Sequence, residues 1–217
     1  MCGRFSVNIN YDELKKRFPN HQIKPFDKIF NFTPTMELPV LTHNEEIKMR
    51  WGLIPSWAKD SSYANRMINA RSETLLEKPS FKNIVHTQRC IIVSNGFYEW
   101  DSVTKSPYYI YHTSNQIMTF GGLYSTWVSK NKETVYTFTI ITTEPNSSLS
   151  YIHHRMPLIL DKGDDIKWID NNSYDSVKEL VKPIDDNLIN MHEVSTLVNS
   201  VRNNTSEVQI KTVNRLF

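Results

Sequence analysis

The stretch RCIIVSNGFYEW (Arg89–Trp100) is the clearest indication of the fold class of this chain, because its composition is typical of a β-strand. β-Branched and aromatic residues fill it, and such residues favour strands. Three similar segments follow: PYYIYHT (Pro107–Thr113), IMTFGGLYSTWV (Ile117–Val128) and VYTFTIITT (Val135–Thr143). Successive strands with short polar connections indicate an antiparallel sheet that is curved or barrel-like.

Strand-like segments also occur further out on both sides. IKMRWGLI (Ile47–Ile54) precedes the central stretch, and MPLIL (Met156–Leu160) and INMHEVS (Ile189–Ser195) follow it. The residues from Lys24 to Pro39 include prolines at positions 25, 34 and 39. Proline lacks the amide hydrogen that a ladder needs, so this part predicts irregular structure.

Short helices are predicted at the margins of the sheet. Asn10, followed by Glu13, is typical of a helix cap and predicts a helix over Asp12–Phe18. Four other helical segments are SETLLEK (Ser72–Lys78), FKNIVHT (Phe81–Thr87), DDIKWID (Asp164–Asp170) and SYDSVKELV (Ser173–Val181). The sequence therefore predicts an α+β fold in a single domain, residues 1–217.

Composition narrows the class of protein without indicating its chemistry. Aromatic residues make up 12% of the 217 residues and there are only six Gly, which indicates an ordered globular chain. The net charge of +2 permits a nucleic-acid partner but does not predict one. No apolar run approaches the roughly 20 residues of a membrane span, and no secretory signal is visible.

The cysteine count and the absence of three common motifs predict the compartment and the cofactors. Two Cys make no disulfide framework, which predicts a reducing compartment, cytoplasmic and nucleoid-associated or nuclear. We also expect a monomer without membrane contact. The motifs G-x-x-x-x-G-K-[ST], G-x-G-x-x-G and H-E-x-x-H are absent from the sequence. We therefore expect neither a metal site nor another cofactor.

Cys2, in the opening MCGRF, is the first unusual residue. Loss of Met1 would leave an α-amine and a thiol on neighbouring carbons, and an α-amine has a pKa of about 7.7–8.0. The amine condenses with an aldehyde to an imine, and the thiolate then closes a five-membered thiazolidine. Alternatively, Cys2 is a small residue at the start of a buried first strand, and the sequence leaves both interpretations open.

Glu99 lies among Phe97, Tyr98 and Trp100 in NGFYEW. A carboxyl group among aromatic rings tends to have a raised pKa, which suits proton transfer. The alternative is a glutamate that points out of the strand into solvent.

Two further segments carry polar residues beside apolar ones. In IHHRMPLIL, His153 suits proton transfer near neutral pH and Arg155 suits an anion such as phosphate. The alternative there is one His that caps the preceding segment and one that is solvated. In INARSET, Asn69 offers donors and acceptors and Arg71 a planar fork. Helix capping explains Ser72 alone.

Five segments, in their order along the chain, closely resemble the SRAP family, named for "SOS-response-associated peptidase". They are MCGRF, WGLIPSWAKD (Trp51–Asp60), INARSET, NGFYEW and IHHRMPLIL. The similarity runs from Cys2 to about Asn203, where VSTLVNSVRN resembles the family's closing segment. Members of the family crosslink to abasic sites in single-stranded DNA.

The resemblance implies a role for each matched residue. Cys2 is similar to the family's nucleophile, exposed by loss of Met1, and Asn69 to the residue that orients its amine. Glu99 resembles the acid/base residue and His153 the second one. Matched positions also imply DNA contacts: phosphate contacts at Arg4, Arg71 and Arg155, and packing near the DNA at Trp51, Pro55 and Trp57.

Three functions remain as hypotheses. The first is a thiazolidine crosslink that shields abasic sites in single-stranded DNA during the DNA damage response, with replication or repair machinery as further partners. The second is a cysteine peptidase that uses Cys2 with His153 and Glu99, its activity limited in one version to removal of Met1. The third is a binding module for single-stranded DNA without chemistry.

Overall fold

The computed structural model describes residues 2–114, 116–170 and 173–212, in which thirteen strands surround a common core and the helices are short. The strands are β1 (Arg4–Val7), β2 (Ile29–Phe32), β3 (Glu37–Leu41), β4 (Glu46–Trp51), β5 (Asn69–Arg71), β6 (Arg89–Ser94), β7 (Gly96–Trp100), β8 (Pro107–His112), β9 (Met118–Val128), β10 (Thr134–Thr143), β11 (Met156–Pro157), β12 (Ile159–Leu160) and β13 (Ile189–Glu193). The α-helices are α1 (Tyr11–Arg17), α2 (Ile84–Thr87), α3 (Ser147–Ser150) and α4 (Asp164–Ile169). The 3₁₀ helices span Ser61–Arg66, Ser72–Thr74, Tyr174–Ser176, Lys178–Leu180, Asp186–Leu188, Thr196–Asn199 and Ser206–Gln209.

The strands form two sheets, one open and one closed. The open sheet has the order β13-β8-β7-β1-β2, and its neighbours are antiparallel. In the other sheet β10, β4, β3, β6 and β9 pair in sequence, and β9 pairs again with β10, which closes a ring of five strands. Within this ring β4 pairs with β10 in parallel. The predicted α+β fold with a barrel-like sheet is confirmed.

One apolar cluster joins the two sheets. Phe5 of β1 contacts Trp51 of β4 at 5.0 Å between ring centroids and Phe120 of β9 at 5.9 Å. Phe97 of β7 also meets Phe120, at 6.0 Å. All four side chains are fully buried, and each such burial contributes roughly 1.5–3 kcal/mol. The first strand is therefore fixed against the barrel by its apolar face.

The predicted first helix is confirmed, together with its cap. Asn10 Oδ1 accepts a hydrogen bond from the Asp12 amide at 2.8 Å, and Leu14 turns its side chain into the core. At the other end, Arg17 pairs with the buried Asp165 of α4 at 2.6 Å. This ion pair joins α1 to α4.

The central stretch Arg89–Trp100 is two strands rather than one, which corrects the prediction. β6 belongs to the closed ring and β7 to the open sheet, and Asn95 lies between them. The Asn95 amide donates to Ser6 O at 3.0 Å, and its Oδ1 accepts from the Asn8 amide at 2.6 Å. These hydrogen bonds to the first strand hold the chain where it crosses between sheets.

The proline-rich part is more regular than predicted, since it contains β2 and the first part of β3. Pro39 lies within β3, opposite Lys48 of β4. On its other side β3 pairs with β6 at Leu41, opposite Ile91, which is two residues beyond Pro39. Pro39 therefore occupies a length of strand with a neighbour on one side, where a missing amide hydrogen is tolerated.

The predicted helices after α1 form only in part. Residues Ser72–Lys78 and Ser173–Val181 contain 3₁₀ turns, and α2 covers only the second half of Phe81–Thr87. The helix predicted at Asp164–Asp170 is confirmed as α4. Among the residues that the structure describes, no helix has the length and apolar character needed to cross a membrane.

Gly52 provides a test of how closely the loop after β4 packs. Its φ is +117°, and a Cβ there would lie 2.5 Å from Ala64 O. We expect Gly52→Ala to lower the free energy of unfolding by about 2–5 kcal/mol, since a left-handed conformation costs about 1–2 and overpacking about 1–3. Urea denaturation measures this change.

Gly163→Ala is the matched control. Gly163 also has a positive φ, +97°, but an added Cβ would meet no described atom within 4 Å. Only the conformational cost of about 1–2 kcal/mol applies there. Equal losses in the two variants would show that contact with Ala64 is not what requires a glycine at position 52.

Candidate functional site

The pairing of β1 with β7 determines where Cys2 lies. Arg4, the first residue of β1, lies opposite Tyr98 in this antiparallel register, one residue before Glu99. Cys2 is fully buried, with Sγ 3.9 Å from Arg4 O. Burial raises the pKa of the Cys2 thiol, and the negative charge of Glu99 raises it further. The thiol is therefore held neutral, with the Glu99 carboxyl group within electrostatic range.

Asn69 makes the direct contact with Cys2. It lies on β5, whose parallel pairing with β10 sets Asn69 opposite Ile140. Asn69 Nδ2 donates to Cys2 O at 2.9 Å. Its Oδ1 is buried and accepts no hydrogen bond from any residue that the structure describes. The amide thus holds the backbone of Cys2 and keeps an acceptor beside it.

Glu99 is buried rather than pointing into solvent, so the outward alternative is wrong. Its side chain on β7 is 3% exposed, and burial raises its pKa. The positive charge of a protonated His154 would act in the opposite direction. A carboxyl group of this kind keeps its proton to a higher pH than a solvated one, so it can donate as well as accept.

His153 is tied to the segment that follows Glu99. The Ser102 amide donates to Ile152 O at 3.0 Å, which connects the turn after β7 to the residue before His153. His153 Nδ1 lies 3.0 Å from the Arg155 amide and 3.2 Å from Arg155 O, so it accepts from the amide when unprotonated and donates to the carbonyl oxygen when protonated. Burial lowers the pKa of His153, which favours the neutral form.

Two of the three arginines expected at DNA phosphates are bound to the protein itself. The Arg155 guanidinium is buried and donates to Glu73 and to Thr142 O. The Arg4 guanidinium donates to Val198 O and Asn199 O. Both guanidinium groups are therefore held by acceptors of the protein itself, and their contacts with DNA phosphates stay predictions.

Arg71 is the exposed member of the three. It ends β5, two residues after Asn69, and its side chain lies at the surface. Its position is therefore compatible with a phosphate contact close to Cys2.

Of the three residues predicted to pack near the DNA, Trp51 and Pro55 are buried, so neither offers an exposed surface to a base. Trp51 Nε1 donates to Ile68 O at 2.8 Å, immediately before Asn69. Trp51 therefore supports the segment that carries Asn69. Trp57 is 54% exposed and meets the ring of Tyr63 edge to face at 5.4 Å, so it alone of the three keeps a surface for stacking.

A cleft of about 690 Å³ adjoins Asn69, and sequence reasoning missed most of its lining. Trp57 and Asn69 contribute to it, together with the exposed basic residues Lys59, Arg66 and Lys78. These cations are spread over loop and 3₁₀ helix, with no period that a sequence pattern would reveal. The cleft brings positive charge next to the residue that holds Cys2.

Comparison with known proteins shows the family to which the chain belongs. The profile of the family described as SOS response associated peptidase (SRAP) matches residues 1–201. The chain belongs to the SRAP family. Cys2, Asn69, Glu99 and His153 all fall within the matched part.

Relatives of this SRAP chain include proteins from bacteria and vertebrates. The abasic site processing protein YoaM of Bacillus subtilis (strain 168) is 40% identical over 220 residues, covering 96% of this chain and 97% of that protein. The abasic site processing protein HMCES of Xenopus tropicalis is 32% identical over 261 residues, covering 95% of this chain and 77% of that protein. A solved structure from Bacteroides thetaiotaomicron has a TM-score of 0.88 at 28% identity, covering 98% of this chain and all of that one.

Metal binding and the state of Met1 also bear on the chemistry of the SRAP site. Within the described ranges, no group of three His, Cys, Asp or Glu side chains is placed to hold a metal ion. Met1 lies outside the described residues, so its loss stays a prediction.

The Glu73–Arg155 ion pair predicts a pH dependence of stability. The hydrogen bond from Arg155 lowers the pKa of Glu73 to about 2. A carboxyl group with a depressed pKa in the folded state stabilises the protein above its unfolded pKa of about 4.3, and this contribution is lost as the pH falls toward about 2. Because Glu73 is half exposed, we expect about 1 kcal/mol at neutral pH.

Urea unfolding of the native chain and of Glu73→Gln between pH 7 and pH 3 measures this contribution. The difference between the two proteins should shrink below about pH 4.5. Glu77→Gln, the same change at an exposed glutamate four residues on, is the control. A difference for Glu73→Gln that does not vary with pH would contradict the ion pair.

Proposed function

We propose that this SRAP chain, once Met1 is removed, crosslinks covalently to abasic sites in single-stranded DNA through Cys2. The observation that carries the proposal is the hydrogen bond from Asn69 Nδ2 to Cys2 O, at 2.9 Å, beside the buried Glu99. It fixes the residue that would bear both the α-amine and the thiol. The names of YoaM and HMCES, both abasic site processing proteins, support the same substrate.

The chemistry balances without a cofactor. The cyclic sugar of an abasic site opens to an aldehyde at C1′ and a hydroxyl at C4′. The α-amine of Cys2 adds to C1′, and loss of one water gives an imine. The thiol sulfur then adds to the same carbon and its proton passes to the nitrogen, so C–N and C–S single bonds replace the C=O bond.

Glu99 and His153 supply proton transfer in this scheme. Glu99, with its pKa raised by burial, can protonate the ring oxygen as the sugar opens and the hydroxyl that leaves as water. The imidazole of His153, whose neutral form is favoured by burial, offers a second group for proton transfer. Retained Met1 would turn the Cys2 amine into an amide and block the first step.

Recognition of the DNA is assigned to charge and stacking, because an abasic site has no base to read. Arg71 is proposed to hold a phosphate next to Cys2, and Trp57 to stack on a neighbouring base. The chain is proposed to act as a monomer in the cytosol, nucleoid or nucleus. Replication or repair machinery is proposed as its recruiting partner.

Incubation with an oligonucleotide that contains an abasic site tests the proposal. We expect a shifted band on a denaturing gel for the trimmed protein. Cys2→Ala should give no such band, whereas Cys90→Ala, which changes a buried cysteine of β6, should retain it. Absence of a band from protein whose mass shows a free Cys2 would refute the proposal.

The peptidase hypothesis separates from the crosslink by one change at the N-terminus. An uncleavable extension before Cys2 removes the free amine but keeps the thiol. Crosslinking should then stop completely. Peptide cleavage by the extended protein would favour a peptidase instead.

Arg71→Ala tests the proposed phosphate contact. We expect weaker binding to single-stranded DNA of any sequence, with a salt slope smaller by about 0.7. Lys167→Ala is the control, because Lys167 loses the same charge on α4, where it pairs with Asp164. Fluorescence anisotropy at several salt concentrations measures both; an unchanged slope for Arg71→Ala would rule the contact out.

A further inference from the structure

Three segments of the site meet at one ion pair, that of Glu73 with Arg155. Glu73 lies in the 3₁₀ turn that follows β5, and Arg155 lies directly before β11. The two terminal nitrogens of the guanidinium donate to the two carboxylate oxygens of Glu73. The same guanidinium donates to Thr142 O, at the end of β10.

The backbone around this pair leads directly to the residues of the proposed chemistry. Asn69, Ala70 and Arg71 lie opposite Ile140, Ile141 and Thr142 in the parallel pairing of β5 with β10. On the other edge, Met156 of β11 lies opposite Thr143. The ion pair thus fastens the segment of Asn69 and the segment of His153 to the same end of β10.

Arg155 also orients His153 through its own main chain. Its amide lies 3.0 Å and its carbonyl oxygen 3.2 Å from His153 Nδ1, so the Arg155 main chain meets this ring nitrogen in either protonation state. The position of that amide depends on the Arg155 side chain, which is fixed on Glu73 and Thr142. A planar guanidinium with paired hydrogen bonds restricts direction as well as distance.

We propose that Glu73 and Arg155 form a clamp that positions Asn69 and His153 relative to each other for attack on the abasic sugar. This inference rests on the proposed function and adds two positioning residues to it. Neither side chain of the clamp needs to touch the reacting atoms. Its effect should appear in the rate of crosslinking and not in the affinity for DNA.

The sign of the Glu73 effect distinguishes the clamp from a simple charge effect. If Glu73 acted only through its negative charge, removing it would favour binding of an anionic DNA strand. Loss of a clamp predicts the opposite outcome for the rate, because small displacements of catalytic groups cost up to about a hundredfold. A charge effect therefore predicts a lower half-saturating DNA concentration, whereas loss of the clamp predicts a lower rate constant at saturating DNA.

The test uses single-turnover crosslinking at increasing concentrations of abasic oligonucleotide. For Glu73→Gln we expect the rate constant at saturating DNA to fall about tenfold to a hundredfold. The half-saturating DNA concentration should change by no more than about fivefold, the size of a surface-charge effect. Glu73→Asp, which keeps the carboxylate on a shorter side chain, should recover part of the rate.

Glu77→Gln is the matched control, since it removes the same charge from an exposed residue near the clamp. Equal rates for Glu73→Gln and Glu77→Gln would overturn the clamp. A fall in affinity with an unchanged saturating rate would also overturn it, and would assign the pair to DNA binding. In both cases the native chain would still crosslink, so the proposed function would stand.

A second measurement keeps the inference testable if the native chain forms no crosslink. The ¹⁵N resonance of His153 Nδ1 reports its hydrogen bond with the Arg155 main chain. Glu73→Gln should shift this resonance, and Glu77→Gln should leave it in place. An unchanged resonance in Glu73→Gln would show that the ion pair does not orient His153.

Discussion

The antiparallel pairing of β1 with β7 is the constraint on which the rest of the site depends. It makes the first residues of the chain an interior strand of the open sheet, between β7 and β2. Phe5 then packs against Trp51 and Phe120 of the closed ring, so the strand is held on both its edges and its apolar face. Cys2, two residues before β1, is thereby held within electrostatic range of Glu99.

Burial then sets the chemical character of the site. A carboxyl group and a thiol removed from water both favour their neutral forms, and the proximity of Glu99 to Cys2 adds to this for the thiol. A neutral thiol is a poor nucleophile for a peptide carbonyl. A neutral thiol is compatible with an order of steps in which the amine reacts first and the sulfur then adds to the imine carbon, which is more electrophilic.

Local signals in the sequence predicted what depends on local structure. The cap at Asn10 and the β-branched and aromatic residues of β8, β9 and β10 act over a few residues, so α1 and these strands were predictable. The break at Asn95 was not, because the crossing is fixed by hydrogen bonds to Ser6 and Asn8, almost 90 residues earlier. Likewise, the sequence around Arg155 indicates an anion-binding residue. Only the fold brings the guanidinium to Glu73, which is 82 residues away in the chain and accepts its hydrogen bond. Trp51 and Trp57 look alike in sequence, and only packing separates the buried ring from the exposed one.

Intact mass spectrometry of the conjugate with an abasic oligonucleotide tests the central claim most directly. The account predicts a protein that lacks Met1, joined to the DNA with the loss of one water, and a mass that borohydride leaves unchanged because a closed thiazolidine has no C=N bond. A conjugate that gains two hydrogens on reduction would be an open imine. A conjugate that retains Met1 would contradict the account altogether.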